Sequence, residues 1–178
     1  MMRGHATRSP RLDTIGLTRA SLIELLRRAK PEQRHEARKV IRWASDLPCA
    51  SEQINGWLVV DAEGKPIAAL GYQPVLPGVR EYFAFFAEGV TLRQMAVISR
   101  MAGQVLRVSL TTKYDPDEAV PELRRVQCVV PVRGEAAIRW AQRLGFRREG
   151  VLESYCPLYG SMVMMAMTRN RLMAERGG

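Results

Sequence analysis

The sequence predicts an α/β (α+β) fold: one domain with a mixed, mostly antiparallel sheet of about six to seven strands and helices on both faces. Three observations carry this. An apolar run (Val126, Cys128, Val129, Val130, Val132) reads as a strand; the short turn Arg133-Gly134-Glu135 follows, and then Ala136, Ala137, Trp140, Ala141 and Leu144 recur at helical spacing. Upstream, residues 56–87 hold three short strand-forming segments separated by glycine- and proline-containing turns. A chain of 178 residues that is 47% hydrophobic can also bury a substantial core.

The elements follow in order. Residues 1–12 are a basic arm carrying Arg3, Arg8 and Arg11, without the apolar stretch of a secretory signal. Thr18 or Ser21 caps a helix running through Ala29, with Leu22, Leu25 and Leu26 on its buried face. Pro31 breaks that helix and opens a second one to about Ala44. Ala37, Val40, Ile41 and Ala44 face inward on it; Arg27, Arg28, Arg34, Arg38, Lys39 and Arg42 face solvent. After a loop containing Pro48, strands at about 56–61 and 66–72 flank the turn Ala62-Glu63-Gly64-Lys65. Pro74, Pro77 and Gly78 make the next turn, and REYFAFFA (80–87) is an aromatic third strand.

A helix from Thr91 to about Val108 places Leu92, Met95, Ala96, Ser99, Ala102 and Leu106 on one side. Residues 111–121 form a polar loop with Asp115-Pro116-Asp117. A strand over 124–132 leads to a helix over 135–144, which Gly145 ends as Phe146 re-enters the core. Strands at about 150–155 and 161–168 close the domain, separated by Pro157 and Gly160. Met162, Met164, Met165 and Met167 suit a buried strand. The domain thus spans 13–168, and residues 169–178 are a basic, frayed tail.

The net charge is +9 with a pI of about 10.1, and only four lysines contribute (Lys30, Lys39, Lys65, Lys113). Arginine therefore dominates, which suits phosphate and carboxylate partners, although a GC-rich genome produces the same bias. Cys49, Cys128 and Cys156 lack zinc or thioredoxin-type spacing and read as small core residues. No apolar run approaches the roughly eighteen residues of a membrane span, and the chain reads as cytosolic or intracellularly assembled. Two histidines, His5 and His35, support no catalytic triad or metal site.

The segment A-x-R-W-x-x-x-L-G-F-x-x-E-G (residues 137–150) resembles the C-terminal half of GNAT N-acetyltransferases, whose usual form is N-x-x-A-x-x-x-Y-x-x-L-G-F-x-x-x-G. The strand GKPIAALGY resembles that family's third strand, and the likeness covers roughly residues 54–168. It implies a splayed fourth and fifth strand and an acetyl-CoA pyrophosphate loop of form Q/R-x-x-G-x-G/A before the following helix. Two departures stand out. The family's tyrosine, general acid toward the coenzyme A thiolate, is replaced by Ala141. The phosphate junction is Ala87-Glu88-Gly89-Val90-Thr91, with one glycine and an acid. A displaced loop, Arg100-Met101-Ala102-Gly103-Gln104-Val105, ends on a branched residue and equally reads as part of a helix.

Within that resemblance the cofactor candidates are Gly89, Val90, Thr91, Arg100 and Gly103. Glu88 and Glu81 are candidate bases, and Tyr155 and Tyr159 are candidate displaced acids. The degenerate pattern is also similar to GNAT-like proteins of short-tailed bacteriophages, the internal virion protein A group. That likeness implies a non-catalytic assembly protein with no cofactor, present in host cytoplasm and virion, binding other virion proteins or its own copies and DNA through arginines. The alternatives are an active acetyl-CoA-dependent N-acetyltransferase and a basic nucleic-acid-binding module. The enzyme expects strands four and five to part; the assembly protein expects that gap closed or filled by side chains; the nucleic-acid binder expects arginines gathered on one surface.

Overall fold

The computed structural model describes residues 11–45, 53–112 and 122–176. The first ten residues with His5, the loop with Cys49, and Asp115-Pro116-Asp117 lie outside the described residues, as does the side chain of Ala44. Seven strands and five helices alternate as β1 (Asp13–Thr18), α1 (Arg19–Arg27), α2 (Pro31–Ser45), β2 (Gln53–Val60), β3 (Pro66–Leu76), β4 (Val79–Phe86), α3 (Leu92–Thr111), β5 (Arg125–Pro131), α4 (Glu135–Leu144), β6 (Arg147–Cys156), β7 (Gly160–Thr168) and α5 (Arg169–Arg176). The strands form one sheet of order β1-β2-β3-β4-β5-β7-β6. β1 pairs antiparallel with β2, and β7 antiparallel with both β5 and β6, while β4 pairs parallel with β5. A parallel pair needs a crossover, and α3 supplies it. Among the described residues no helix is long and apolar enough to cross a membrane.

The described residues divide into two compact units. One holds the chain up to Leu70 with Ala84–Ile98; the other holds Gly71–Phe83 with everything from Ser99 on. In the first, Thr18 and Ser21 exchange backbone and side-chain hydrogen bonds in a capping box that starts α1. Leu22, Leu25, Leu26, Ala37 and Val40 are buried, as their spacing requires. Asp61 closes the β2–β3 turn by accepting from the amides of Glu63 (3.2 Å) and Lys65 (2.8 Å). Ile67, Ala68, Ala69 and Leu70 are all buried in succession, which a strand achieves only when both its faces are covered.

The second unit is pinned at Gly78. Its carbonyl accepts from the amides of Arg124 (2.9 Å) and Arg125 (3.1 Å), and a Cβ there would lie 2.7 Å from the Glu122 carbonyl oxygen. From that anchor β5 runs beside β4, and β7 covers the other side of β5 from Arg125↔Thr168 to Pro131↔Met162. Met162, Met165 and Met167 are buried there. α4 ends at Gly145 (φ 108°), where the Phe146 amide reaches back to the Ala141 carbonyl at 3.1 Å.

Several expectations need correction. Asp13–Thr18, between the arm and the first helix, is a strand where the sequence predicts no element; its single buried residue, Leu17, gives too little pattern to reveal one. Residues 169–176 of the C-terminal tail are not frayed: they form α5, which packs on β7, with Glu175 binding Arg147 at 2.7 Å and Arg169 binding Glu122 and the Thr112 carbonyl. Pro74 lies inside β3, and the turn is made by Pro77-Gly78. β6 begins at Arg147, three residues earlier than its apolar run. Leu92 is 89% exposed, and Ala96, Ala136 and Ala137 are also exposed; α3 buries Ile98, Ala102, Leu106 and Leu110 instead. Arg28 and Arg34 are not free solvated charges, since they donate to the Pro66 carbonyl (2.9 Å) and to the Ala29 and Arg27 carbonyls (2.9 and 3.1 Å).

Two outcomes are expected. Gly78→Ala forces a left-handed backbone on a side chain, which costs about 1–2 kcal/mol before the clash with Glu122 is added; urea unfolding should show a loss of at least that size. Glu149 accepts two hydrogen bonds from Arg125 (3.0 and 2.6 Å), which hold its carboxyl below the ordinary range; partial burial opposes this, and the charges of Arg125 and Arg171 add to it. A lowered folded-state value means stabilisation that is present above the unfolded Glu value of about 4.3 and lost as pH falls through the lowered one. Glu149→Gln should therefore be the less stable protein at pH 7, with the difference closing as urea midpoints are followed to pH 3.

Candidate functional site

In the second unit the feature of interest is where β4 and β5 stop pairing. Their ladder consists of Val79↔Arg125, Arg80↔Val126 and Glu81↔Gln127. β5 continues to Pro131 with β7 as its partner, while Tyr82 and Phe83 on β4 have no counterpart in β5. The strands therefore part after three residues.

An aromatic cluster lies beside this point. The Tyr82 ring sits 5.7 Å from Tyr72, 6.4 Å from Trp140 and 5.9 Å from Phe146, all tilted, a geometry that favours ring edges against ring faces. Trp140 on α4 donates its indole N–H to Ser99 Oγ on α3 at 2.8 Å, tying the two helices together. Arg80 lies over the Tyr72 ring at 5.9 Å. The Tyr82 hydroxyl is buried with no hydrogen-bond partner among the described residues. Burial pushes its pKa well above 10, with smaller contributions from Tyr72 and Cys128, so it is neutral at any working pH. Burial, with a smaller effect from Glu81, pushes the Cys128 thiol up to about 12, which makes it a core residue and not a nucleophile.

Ala141, where the resemblance places a tyrosine, is 4% exposed on the inner face of α4. Glu81 stands on the last paired position of β4 and accepts from Gln73 Nε2 at 3.2 Å. Arg100 and Gly103 are both in the middle of α3, with Gly103 facing a Leu144 methyl at 3.9 Å. The displaced-loop reading is thereby corrected: α3 runs unbroken to Thr111, so these residues cannot wrap a phosphate. Tyr155 is half exposed on β6, and Tyr159 lies in the turn between β6 and β7. β6 is the edge strand, separated from β5 by β7. Met162 pairs with Pro131, so the turn with Tyr159 follows the end of β5, while Tyr155 stands on the outer strand.

In the first unit the junction from β4 to α3 is held at its start. The Ala87 amide donates to the Ile67 carbonyl (2.9 Å), the Glu88 amide to the Arg28 carbonyl (2.8 Å), and the Phe86 amide to Gln33 Oε1 (2.6 Å). Glu88 and Gly89 are exposed. Thr91 and Gln94 cap α3 reciprocally: the Thr91 amide donates to Gln94 Oε1 (2.9 Å) and the Gln94 amide to Thr91 Oγ1 (3.2 Å). The box occupies two amides that a phosphate would otherwise meet, leaving those of Leu92 and Arg93. No sequence signal beyond T-x-x-Q could have shown this, and the notable residues missed at sequence level, Tyr82 and Ser99, look like ordinary strand and helix residues.

Two measurements check this description. Site-resolved mass spectrometry of iodoacetamide labelling at pH 8 should find Cys128 unmodified until the protein unfolds. Tyr82→Phe should leave stability unchanged or raise it by up to about 1 kcal/mol, because it removes a buried hydroxyl that has no partner.

No family model matches the chain, and no curated protein matches it. Solved structures do. A chimaera of the Vibrio cholerae spermidine N-acetyltransferase SpeG with hSSAT is 17% identical, with a TM-score of 0.65, covering 91% of this chain and 98% of that one. A mutant form of the Vibrio cholerae enzyme is 15% identical, with a TM-score of 0.63 over 93% and 98% of the two chains. A GNAT-family acetyltransferase from Bacillus anthracis is 12% identical, with a TM-score of 0.63 over 92% and 98%. At such identities the likeness is one of fold. The strand order, the parting of β4 from β5 and these matches together give the chain the GNAT acetyltransferase fold.

Proposed function

We propose that this chain is an acetyl-CoA-dependent N-acetyltransferase that works without a tyrosine acid. The observation that carries the reading is the end of the β4–β5 ladder at Glu81 and Gln127. Beyond it the two strands no longer pair, and a thioester-bearing arm would enter at that parting. Toward a pyrophosphate the start of α3 offers the amides of Leu92 and Arg93, and a helix N-terminus favours an anion. Glu88 opposes that binding by its charge. The cofactor thus fits the backbone of the junction better than its side chains.

When bound, acetyl-CoA supplies the activated acetyl group. An acceptor amine attacks the thioester carbonyl carbon, a C–N bond forms, and the C–S bond breaks with its electron pair going to sulfur. Glu81, at the end of the ladder, is the candidate to take the amine proton. With Ala141 in the tyrosine position, the thiolate collects its proton from water. A positioned general acid contributes about 10²–10⁴-fold, so the reaction is slow by comparison with a tyrosine-bearing enzyme. The acceptor is a neutral or acidic amine compound and not a polyamine, because a chain of net charge +9 repels a polycation.

A second reading has its own observation. Ala141 is buried where the resemblance places a tyrosine, and Glu88 with the Thr91–Gln94 box crowds the phosphate junction. These suit a GNAT fold kept for its shape, a non-catalytic protein of a phage particle that binds other virion proteins. The phage assignment rests on the sequence resemblance alone.

Calorimetric titration with acetyl-CoA and CoA separates the two. A micromolar dissociation constant supports the enzyme, and no heat at millimolar ligand supports the non-catalytic protein. If the enzyme reading holds, Glu88→Gln should tighten CoA about two- to fivefold, the worth of one exposed like charge. The kcat/KM profile should rise with pH as the amine deprotonates and show no alkaline fall from a tyrosine near pH 10.

A further inference from the structure

In the second unit the sheet changes character where β5 stops. Pro131 pairs with Met162, and the Val132 amide still donates to the Ser161 carbonyl at 3.2 Å. On the other side of β7, Leu152 pairs with Met162 and Cys156 with Gly160. Ser161 therefore has Val132 on one flank and the whole stretch Glu153-Ser154-Tyr155 on the other. That stretch is a bulge, and Ser154, at φ 50°, is the one non-glycine residue of positive φ among the described residues. Glu153, Ser154 and Tyr155 are all exposed, while Cys156 beside them is buried and pins the hairpin.

This end leaves apolar surface uncovered. Val132, Tyr155 and Leu158 are 40%, 51% and 59% exposed, and Val151, on the same strand as Tyr155, is 42% exposed. Neighbouring strands lie about 4.8 Å apart, so Val132 and the bulge, with β7 between, are separated by about 10 Å. Each flank carries one charge. Arg133 follows Val132, and Glu153 opens the bulge; both are exposed, and neither forms an ion pair among the described residues. Glu135, the acid nearest to Arg133 in the chain, is taken by Arg139 at 3.0 Å.

We infer that this end of the sheet docks a second copy of the chain about a two-fold axis, with Val132, Tyr155 and Leu158 at the centre and Arg133 of each protomer against Glu153 of its partner. A two-fold contact sets one patch against itself, so the patch must be self-complementary. An apolar centre with a cation on one flank and an anion on the other meets that condition; flanks of one sign would repel their own copies. An aromatic and aliphatic centre inside a charged rim is also the usual anatomy of a protein interface. The contact is made by side chains and not by a continuous sheet, because a bulged edge resists adding a strand. A standard interface uses about 20–30 residues a side, and this patch is smaller, so the dimer forms at micromolar concentration and is not permanent. The inference rests on neither functional reading.

The test is sedimentation velocity of the full chain from ~5 to ~200 µM in ~150 mM salt. The sedimentation coefficient should climb with concentration from that of a monomer to that of a dimer. Leu158→Asp, in an exposed turn, should raise the dimer dissociation constant at least about tenfold while thermal melting shows it folded. Arg133→Glu and Glu153→Arg should each weaken the dimer about tenfold, since each sets like charges together twice. Combining the two reversals should bring the constant back to within about threefold of the starting protein. Leu76→Asp, which puts an acid on exposed apolar surface elsewhere in this unit, should change it less than about twofold. A monomer at every concentration overturns the inference. So does a double reversal that fails to restore the dimer, or an equal loss in Leu76→Asp.

Discussion

The close approach of backbone at Gly78 is the constraint on which the second unit depends. A side chain there would collide with the Glu122 carbonyl, and without one the Gly78 carbonyl collects the amides of Arg124 and Arg125. That contact sets where β5 starts beside β4 and hence which residues pair. β7 then takes its register from β5, and β6 takes its own from β7. The arginines at one end of this sheet and the aromatic cluster near its middle are both placed by a glycine in a two-residue turn.

The aromatic cluster turns that register into packing. Tyr82 is the first β4 residue beyond the ladder, and its ring meets Trp140 and Phe146, which flank the end of α4. Gly145 allows the chain to reverse there, with Phe146 donating back to Ala141. The Trp140–Ser99 bond holds α4 to α3. The buried Tyr82 hydroxyl has no partner among the described residues, which is the kind of local cost a fold tolerates when the surrounding apolar contacts outweigh it.

The backbone and the side chains say different things about chemistry. The parting of β4 from β5 belongs to the fold and is independent of most side chains. Ala141, Glu88 and the Thr91–Gln94 box are side-chain matters, and each removes or crowds something that acetyl transfer uses. A fold hosts many functions, and the residues grafted on it decide among them. Arginine near the two N-terminal helices serves partly as backbone glue, Arg28 on the Pro66 carbonyl and Arg34 on the Ala29 carbonyl.

Local physics made much of the architecture legible. Thr18 and Ser21 mark a helix start, Pro31 opens α2, and the strand–turn–helix of residues 125–145 is written in apolar periodicity and a terminal glycine. These signals act within a few residues, so the sequence by itself determines them. β1 and α5 escaped because β1 buries a single residue and α5 is mostly polar, and each gains stability from what it pairs with: β1 from β2, α5 from Glu122, Arg147 and β7. The candidate site escaped for the same reason. Tyr82, Ser99 and Trp140 are distant in sequence, and their contacts exist only once long-range pairing has brought them together. Local propensity is short-ranged, whereas register and burial are properties of the whole chain, so only the tertiary structure decided where the side chains of this protein meet.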